Sequence, residues 1–255
     1  MKTRYIYSGR IYFRYKKYLV RIKGLVIMKP VVIAGNGPSL AHIDYTMLPT
    51  DYDVYRCNQF YFEEQYFLGK DITAVFFNPD VFFEQYYTLK QLLIRKEYTY
   101  KTIYCSKMFW RFEDVDPTTP FQFLYPDVVE VYKLLQKYPS ILSFLKYNDV
   151  YLGQRITSGV LMALVAAING YKELYLTGID FYETKEYVFN HHKPNLQKLI
   201  PVYTTRIKAD FHTKNIDVET LKFIEQEFDV QIYSLSPTSP ISTLYPPPSM
   251  LHAML

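Results

Sequence analysis

Short apolar runs that stop abruptly at Gly or Asn constrain this chain more than any other feature. Three strand-like segments of this kind lie near the amino terminus: the apolar run Val31–Ala34 before Gly35, the mixed segment Asp53–Cys57 before Asn58, and the apolar run 74–77 before Asn78. A β-branched apolar run that ends at a tight turn is typical of a buried parallel strand. The spacing between the segments leaves room for crossover connections between parallel strands.

Patterns further along the chain extend this reading. Helices are indicated at 59–70, 81–96, 159–169 and 217–228, and further strands at 102–105, 173–176 and 230–233. This alternation predicts an α/β fold, a single open Rossmann-like domain whose mostly parallel sheet is covered on both faces. The ligand of such a sheet is expected at the carboxyl ends of the strands.

Composition divides the chain into segments. Residues 1–27 form a basic, aromatic arm, residues 28–240 form the α/β domain, and 241–255 are a Pro-rich tail. Within the domain, residues 181–212 lose both periodicities and predict a small lid insertion, called the lid segment below.

The net charge of +4 is concentrated in the arm. Eight of the 29 Lys and Arg residues lie within residues 1–27 with no acidic residue, so 21 basic face 25 acidic residues in the remainder. A nucleic-acid-binding fold would carry its cations on a folded face, so we expect no nucleic-acid partner. Two cysteines are too few for a disulfide framework and indicate a reducing compartment.

Polar residues at the strand ends are the first candidates for a site. Gly35-x-Gly37 lets backbone approach a phosphate, with a following helix whose N-terminus Ser39 could cap. Leu40 stands where a dinucleotide fingerprint needs a third small residue. The turn could therefore bind a nucleotide, or it could simply connect a strand to a helix. Asn36, Asn58 and Asn78 would gather along one sheet edge, as recognition of a base, ribose or sugar requires, although Asn also favours turns for local reasons.

Metal ligation is weakly indicated. Asp51-x-Asp53 opens a strand at the end opposite the expected ligand, and Asp114-x-Asp116 lies in a loop. The side chains of the adjacent pair His191-His192 do not share a face. We therefore assign no metal.

Several residues could handle an anion or a proton. Arg155 precedes Thr157 and Ser158, which could cap a helix whose N–H groups face a phosphate or carboxylate beside the guanidinium. Tyr182 and Tyr187 could donate phenolic hydrogen bonds. His212, where the lid segment returns to regular structure, could be a general base or an ordinary surface or capping residue.

Six segments together carry a family resemblance. They are 31–40, 55–63, 74–79, 155–159, 178–182 and 212–215. In order and spacing these segments resemble the bacterial sialyltransferases of glycosyltransferase family 42, which sialylate lipooligosaccharide. The resemblance extends from about Val31 to Ser239.

This resemblance implies a metal-independent, GT-A-like variant of the Rossmann-like fold that requires no cofactor and uses CMP-N-acetylneuraminic acid as donor. Asn36, Asn58 and Asn78 would contact its phosphate, ribose and cytosine, while Thr157 and Ser158 would hold the sialyl carboxylate and sugar. The remaining donor-site positions implied are Gly35, Gly37, Ser39, Gln59, Gly178 and Phe181. The catalytic positions implied are His212 as general base, Tyr182 and Tyr187 on the departing phosphate, and Arg155 in an unassigned role.

The resemblance also implies partners and a location. We expect a galactose-terminated lipooligosaccharide acceptor, an α2,3 linkage, a homo-oligomer such as a tetramer, and a cytoplasmic enzyme peripheral to the inner membrane. The basic arm could dock at that anionic surface, or Met28 could be the true start. A bifunctional α2,3/α2,8 transferase and an inactive CMP-binding, membrane-associated protein are the alternatives.

Overall fold

The structure is a computed structural model. It describes residues 2–7, 10–15, 18–21, 29–108, 121–183, 186–189 and 211–248. The strands within these residues are β1 Lys2–Tyr7, β2 Arg10–Tyr15, β3 Tyr18–Arg21, β4 Val31–Ala34, β5 Asp53–Cys57, β6 Asp71–Phe77, β7 Thr99–Cys105, β8 Val128–Glu130, β9 Glu173–Thr177 and β10 Gln231–Ser234. The α-helices are α1 Phe82–Ile94, α2 Phe121–Leu124, α3 Val131–Leu135, α4 Pro139–Leu152, α5 Ser158–Ile168 and α6 Lys214–Phe228.

Seven of the described strands form one open sheet in the order β10-β9-β4-β5-β6-β7-β8. Every neighbouring pair in it is parallel. The open, mostly parallel α/β fold predicted from the sequence is therefore confirmed. Residues of the arm form a separate antiparallel meander, β1-β2-β3.

Burial follows from the sequence patterns. The strands β4 and β9 are apolar and almost completely buried because the sheet is covered on both faces. Helix α5 is apolar all round, and residues 159–167 are all buried between the sheet and α6. Helix α6 is amphipathic, with Ile216, Leu221 and Ile224 on its buried face. In the described part of the chain, no helix combines the length and apolarity needed to cross a bilayer.

Two expected helices are wrong. The region 59–70 contains only the short 3-10 helix Phe60–Phe62, because Phe60, Phe67 and Leu68 turn into the core and Glu63 pairs with buried Arg56. The chain after β4 likewise forms only the 3-10 helix Pro38–His42.

The elements β8, α3 and α4 were not anticipated. Helix α4 carries two signals that could have revealed it, Pro139 in its first turn and Gly153 at its end with φ +63°. Near the carboxyl terminus, Ile241 and Tyr245 of the predicted tail are buried, and the Tyr245 hydroxyl donates to Glu225 of α6.

Candidate functional site

A cleft opens where the strand order reverses. Strand β4 pairs with β5 on one side and with β9 on the other, so the chain leaves these carboxyl ends in opposite directions. The cleft walls come from residues 35–37, 57–59, 157–159, 178–182, 186 and 187. Four loops thus meet at one edge of the sheet.

Backbone meets backbone at the floor of this cleft. The Gly37 N–H donates to the Gly178 carbonyl at 2.9 Å, and a Cβ on Gly35 would lie 2.2 Å from that same oxygen. Gly178 itself has φ +63°. Only glycine at both positions lets the turns after β4 and β9 approach this closely.

The expected phosphate-binding helix after Gly37 is absent from this turn. Its short 3-10 helix has no side-chain cap, and the Ser39 N–H donates to Asp180 Oδ2 at 2.8 Å. Ser39 is buried behind the turn rather than on the cleft wall, because its backbone is held by the loop after β9.

Two asparagines line the cleft with their oxygens unpaired. Asn36 Nδ2 donates to the Cys57 carbonyl at 3.0 Å, and Asn58 Nδ2 donates to Ser158 Oγ at 3.2 Å. Asn36 Oδ1, Asn58 Oδ1 and Asp180 Oδ1 are buried and have no hydrogen-bond partner within the described residues. Buried acceptors are seldom left unpaired in proteins, so these three atoms indicate a ligand that brings hydroxyl or amino donors.

The start of α5 forms one side wall. Thr157 caps the helix, its Oγ1 accepting from the Val160 N–H, and Ser158 begins it at the cleft. The first N–H groups of a helix favour an anion. Behind this wall, Asp217 of α6 accepts the Thr157 N–H at 2.8 Å. Burial raises the pKa of Asp217 to about 7, although the hydrogen bonds from Thr157 act in the opposite direction.

The beginning of the lid segment forms the opposite wall. Phe181 and Tyr182 have φ values of +48° and +57°, so the chain turns sharply after Asp180. Lys214 lies 5.4 Å from the Phe181 ring centroid and pairs with Glu183 at 3.0 Å, which ties this turn to α6.

Tyr187 reaches the cleft from the next described piece of the lid segment. The Val188 N–H donates to the Asn36 carbonyl at 2.8 Å, and the Tyr187 ring stacks on Phe189. Burial raises the pKa of Tyr187, with Cys57 adding to the effect, so the phenol keeps its proton near neutral pH.

His212 lies beside this wall. Its Nδ1 is 2.9 Å from the Arg155 carbonyl oxygen, and its ring stacks on Tyr182 with centroids 5.3 Å apart. A carbonyl can only accept, so Nδ1 carries the proton and Nε2 keeps its lone pair in the neutral ring.

Arg155 is not among the residues that line the cleft. Its guanidinium pairs with Asp149 and lies 4.8 Å above the Phe211 ring, rather than facing the cleft. The carboxylate of Asp149 is largely buried beside the guanidinium.

Asn78 occupies the same sheet edge, one strand further from the β4/β9 junction. It accepts the Asp80 N–H with its side chain and is not on the cleft wall. Gln59, Gly178 and Phe181 do line the cleft. Asp180, Glu186 and Asp217 were missed as site residues, although Asp180 stands in a segment that already carried the resemblance.

The acidic pairs offer no metal centre in the described chain. Asp53 lies at the amino end of β5, where it accepts from Tyr171 and Thr73. Asp114, Asp116, His191 and His192 lie outside the described residues. Among the described residues, no group of three or more His, Cys, Asp or Glu side chains could hold a metal ion.

An open parallel sheet with a polar cleft at its switch point defines a class of α/β protein that binds nucleotide-type ligands. The chain matches the family described as Alpha-2,3-sialyltransferase (CST-I) over residues 29–253. The chain therefore belongs to this family, which confirms the sialyltransferase resemblance read from its motifs.

Solved structures agree with this assignment. The sialyltransferase CstII from Campylobacter jejuni, in complex with the substrate analogue CMP-3FNeuAc, is 43% identical with a TM-score of 0.77 and 88% of each chain covered. The monofunctional alpha-2,3-sialyltransferase Cst-I from Campylobacter jejuni is 39% identical with a TM-score of 0.79, covering 91% of this chain and 86% of that one.

A curated relative matches over a shorter region. An uncharacterized protein of Haemophilus influenzae is 44% identical over 115 residues. The match covers 44% of this chain and half the length of that relative.

Proposed function

We propose that this protein is an inverting sialyltransferase that moves N-acetylneuraminic acid from CMP-N-acetylneuraminic acid to a terminal galactose of lipooligosaccharide, with an α2,3 linkage. Family membership and the donor analogue named for the CstII structure support the donor. The description of the family supports the linkage. The acceptor glycan follows from the lipooligosaccharide resemblance of the motifs.

The unpaired acceptors of the cleft suit the CMP half of the donor. Asn36 Oδ1, Asn58 Oδ1 and Asp180 Oδ1 would receive hydroxyl or amino hydrogens from the nucleoside. The glycine turns at 35–37 and 178 let it approach the backbone, and Ser158 with the first N–H groups of α5 would face anionic oxygens.

His212 would act as the general base. Its Nε2 takes the proton of the acceptor hydroxyl as that oxygen bonds to the anomeric carbon, opposite the bond to CMP. That second bond breaks with its electron pair passing to the phosphate, so the anomeric centre inverts. The hydrogen bond from Nδ1 to the Arg155 carbonyl fixes the tautomer that this step requires. The assignment of His212 as the general base rests on this contact.

Tyr182 and Tyr187 would stabilise the departing phosphate. Both line the cleft. A protonated phenol donates a hydrogen bond to developing negative charge, and the raised pKa of Tyr187 keeps its proton available. These donors take the place of a divalent cation in the proposal, so we expect full activity in excess EDTA. Arg155 would contribute by holding His212 through its carbonyl.

Transfer from CMP-sialic acid to a lactosyl acceptor tests this mechanism. We expect His212→Ala to lower kcat by about 10²–10⁴-fold, as loss of a general base does, while CMP still binds. His42→Ala, at an exposed position in the 3-10 helix after β4, is the matched control and should retain wild-type transfer. Near wild-type transfer by His212→Ala would refute the base assignment, and loss of activity in EDTA would refute metal independence.

We propose further that the protein works as a homo-oligomer at the cytoplasmic face of the inner membrane, with the basic arm on the anionic surface. Eight cations in residues 1–27 support this, since each contributes roughly 1 kcal/mol close to such a surface. Deleting residues 1–27 should abolish sedimentation with anionic vesicles and leave transfer intact. Unchanged vesicle binding would refute the docking role. Light scattering would measure the molar mass in solution, and the mass of a single chain would refute the homo-oligomer.

A further inference from the structure

The helices α5 and α6 begin side by side, and their starts are joined by three hydrogen bonds that involve the backbone of Arg155 and Thr157. The Arg155 N–H donates to the Phe211 carbonyl at 2.7 Å, and His212 Nδ1 donates to the Arg155 carbonyl at 2.9 Å. The Thr157 N–H donates to Asp217 Oδ1 at 2.8 Å. The turn that carries Thr157 and Ser158 is therefore fixed to the segment that carries His212.

Asp217 is the unexpected member of this junction. It stands on the buried face of α6 with Ile216, Leu221 and Ile224, and its side chain is completely inaccessible to solvent. A carboxylate at such a position is costly, and an apolar side chain would serve packing better. Its Oδ1 accepts the backbone N–H of Thr157, the residue that caps α5 at the cleft.

Without this acceptor, the Thr157 N–H would be buried and unpaired, and the turn would shift to find a partner. Ser158 would move with it, along with the side chain of Asn58 that donates to Ser158 Oγ. The base would stay on its own segment. Donor and base would then lose their register, which costs rate even when the displacement is about an ångström.

We propose that Asp217 is a positioning residue that holds the donor-binding turn at Thr157 and Ser158 in register with His212. This inference rests on the proposed sialyl transfer. Asp217 acts through Thr157, whose backbone N–H it accepts.

Substitutions at Asp217 separate positioning from general stability. Asp217→Leu removes the acceptor and should lower kcat/KM for CMP-sialic acid by about ten- to a hundredfold, through a raised donor KM and a lowered kcat together. Asp217→Asn keeps an acceptor oxygen and should stay within about threefold of wild type. Asp217→Glu keeps the carboxyl group but displaces its oxygen by one methylene, and should lower kcat/KM by about tenfold.

Thr220→Val is the matched control. Thr220 is also fully buried on α6, but its hydroxyl donates within the helix to the Ile216 carbonyl at 2.7 Å and has no link to the donor turn. It should leave donor KM and kcat unchanged while altering thermal stability to a similar degree.

CMP affinity, measured by calorimetry for the same variants, keeps the two proposals distinguishable. Absence of transfer by the wild-type protein would refute the proposed function alone, and a roughly tenfold weaker CMP affinity in Asp217→Glu would still support positioning. Wild-type kinetics or CMP affinity in a folded Asp217→Leu or Asp217→Glu protein would overturn the positioning role. So would an Asp217→Asn protein as impaired as the Leu variant.

Discussion

The two ends of the central sheet differ in whether their polar side chains have hydrogen-bond partners within the protein. At the amino end, Asp53 accepts from Tyr171 at 2.7 Å and from Thr73 at 2.8 Å. We call this set the amino-end network. Its polar side chains are matched with one another within the protein itself.

At the carboxyl end, the polar atoms are held in place but left incomplete. Asn36, Asn58 and Asp180 each use one side-chain atom to fix a loop and leave a buried oxygen unpaired. Asn58 and Phe181 also have positive φ values. The amino end of the sheet thus favours stability, while the carboxyl end gives up stability to keep acceptors for a ligand.

The largest stability effect should come from the buried ion pair under the loop after β5. Arg56 and Glu63 have fully inaccessible side chains and pair at 2.6 Å, and burial raises the pKa of Glu63 despite the opposing effect of Arg56. Arg56→Met leaves that buried carboxylate without its cation, although the Tyr98 hydroxyl still donates to it at 3.5 Å, and should lower the free energy of unfolding by about 3–5 kcal/mol. Arg56→Met/Glu63→Leu should recover most of this loss in urea unfolding.

The exposed pair Lys70 and Glu97 is the control for that experiment. Both side chains are nearly half-exposed, so Lys70→Met should cost about 0–1 kcal/mol. Equal losses for Arg56→Met and for its double variant would show that the pair is not the source of the effect.

The glycine contact at the cleft floor comes next. A Cβ at Gly35 would overlap the Gly178 carbonyl, so Gly35→Ala should cost about 2–3 kcal/mol and abolish CMP binding in a calorimetric titration. Gly69 has φ +77° but open space around it, and Gly69→Ala should cost about 1 kcal/mol with CMP binding intact. CMP binding by Gly35→Ala at wild-type affinity would place the ligand elsewhere.

Breaking the amino-end network should lower stability without changing CMP affinity. Burial alone would raise the pKa of Asp53, but the hydrogen bonds from Tyr171 and Thr73, with Lys101 and Lys29, outweigh it and hold that pKa low. Tyr171→Phe should therefore cost about 1–2 kcal/mol in the free energy of unfolding and leave CMP affinity unchanged.

The pH dependence of that cost has a definite sign. A carboxylate with a lowered pKa in the folded state stabilises the protein above its unfolded pKa of about 3.9 and loses this contribution as pH falls through the folded pKa. The difference between wild type and Tyr171→Phe should be full above about pH 5 and shrink towards acid. A difference that grows on acidification would contradict this assignment.

Much of the strand pattern could be predicted from the sequence because several short strands end at Gly or Asn. The limits of β4 and β5 agree with the predicted strands residue for residue. The helix expected at 59–70 failed for a tertiary reason, since Glu63 must reach Arg56 and Phe60 must enter the core. Helix propensity is a property of the local sequence, so it does not reveal the ion pair with Arg56 or the burial of Phe60.

Part of the cleft lining was also predictable from the sequence. Asn36 and Asn58 could be placed on one edge because parallel strands align their carboxyl ends. The direction of the Arg155 side chain depends on Asp149 and Phe211, and the role of Asp217 depends on the backbone of Thr157, which is 60 residues away in sequence. Such partners become visible only after the chain has folded.

Calorimetric titration of CMP into wild type, Asn58→Gly and Tyr171→Phe tests the contrast between the two ends most directly. Glycine accepts the +51° φ of Asn58 without strain and removes its carboxamide, so Asn58→Gly should fold as stably as wild type and bind CMP about tenfold more weakly. Tyr171→Phe should bind CMP as wild type does. Equal CMP affinity in wild type and Asn58→Gly, or weaker affinity in Tyr171→Phe alone, would contradict the placement of the ligand at the carboxyl end of the sheet.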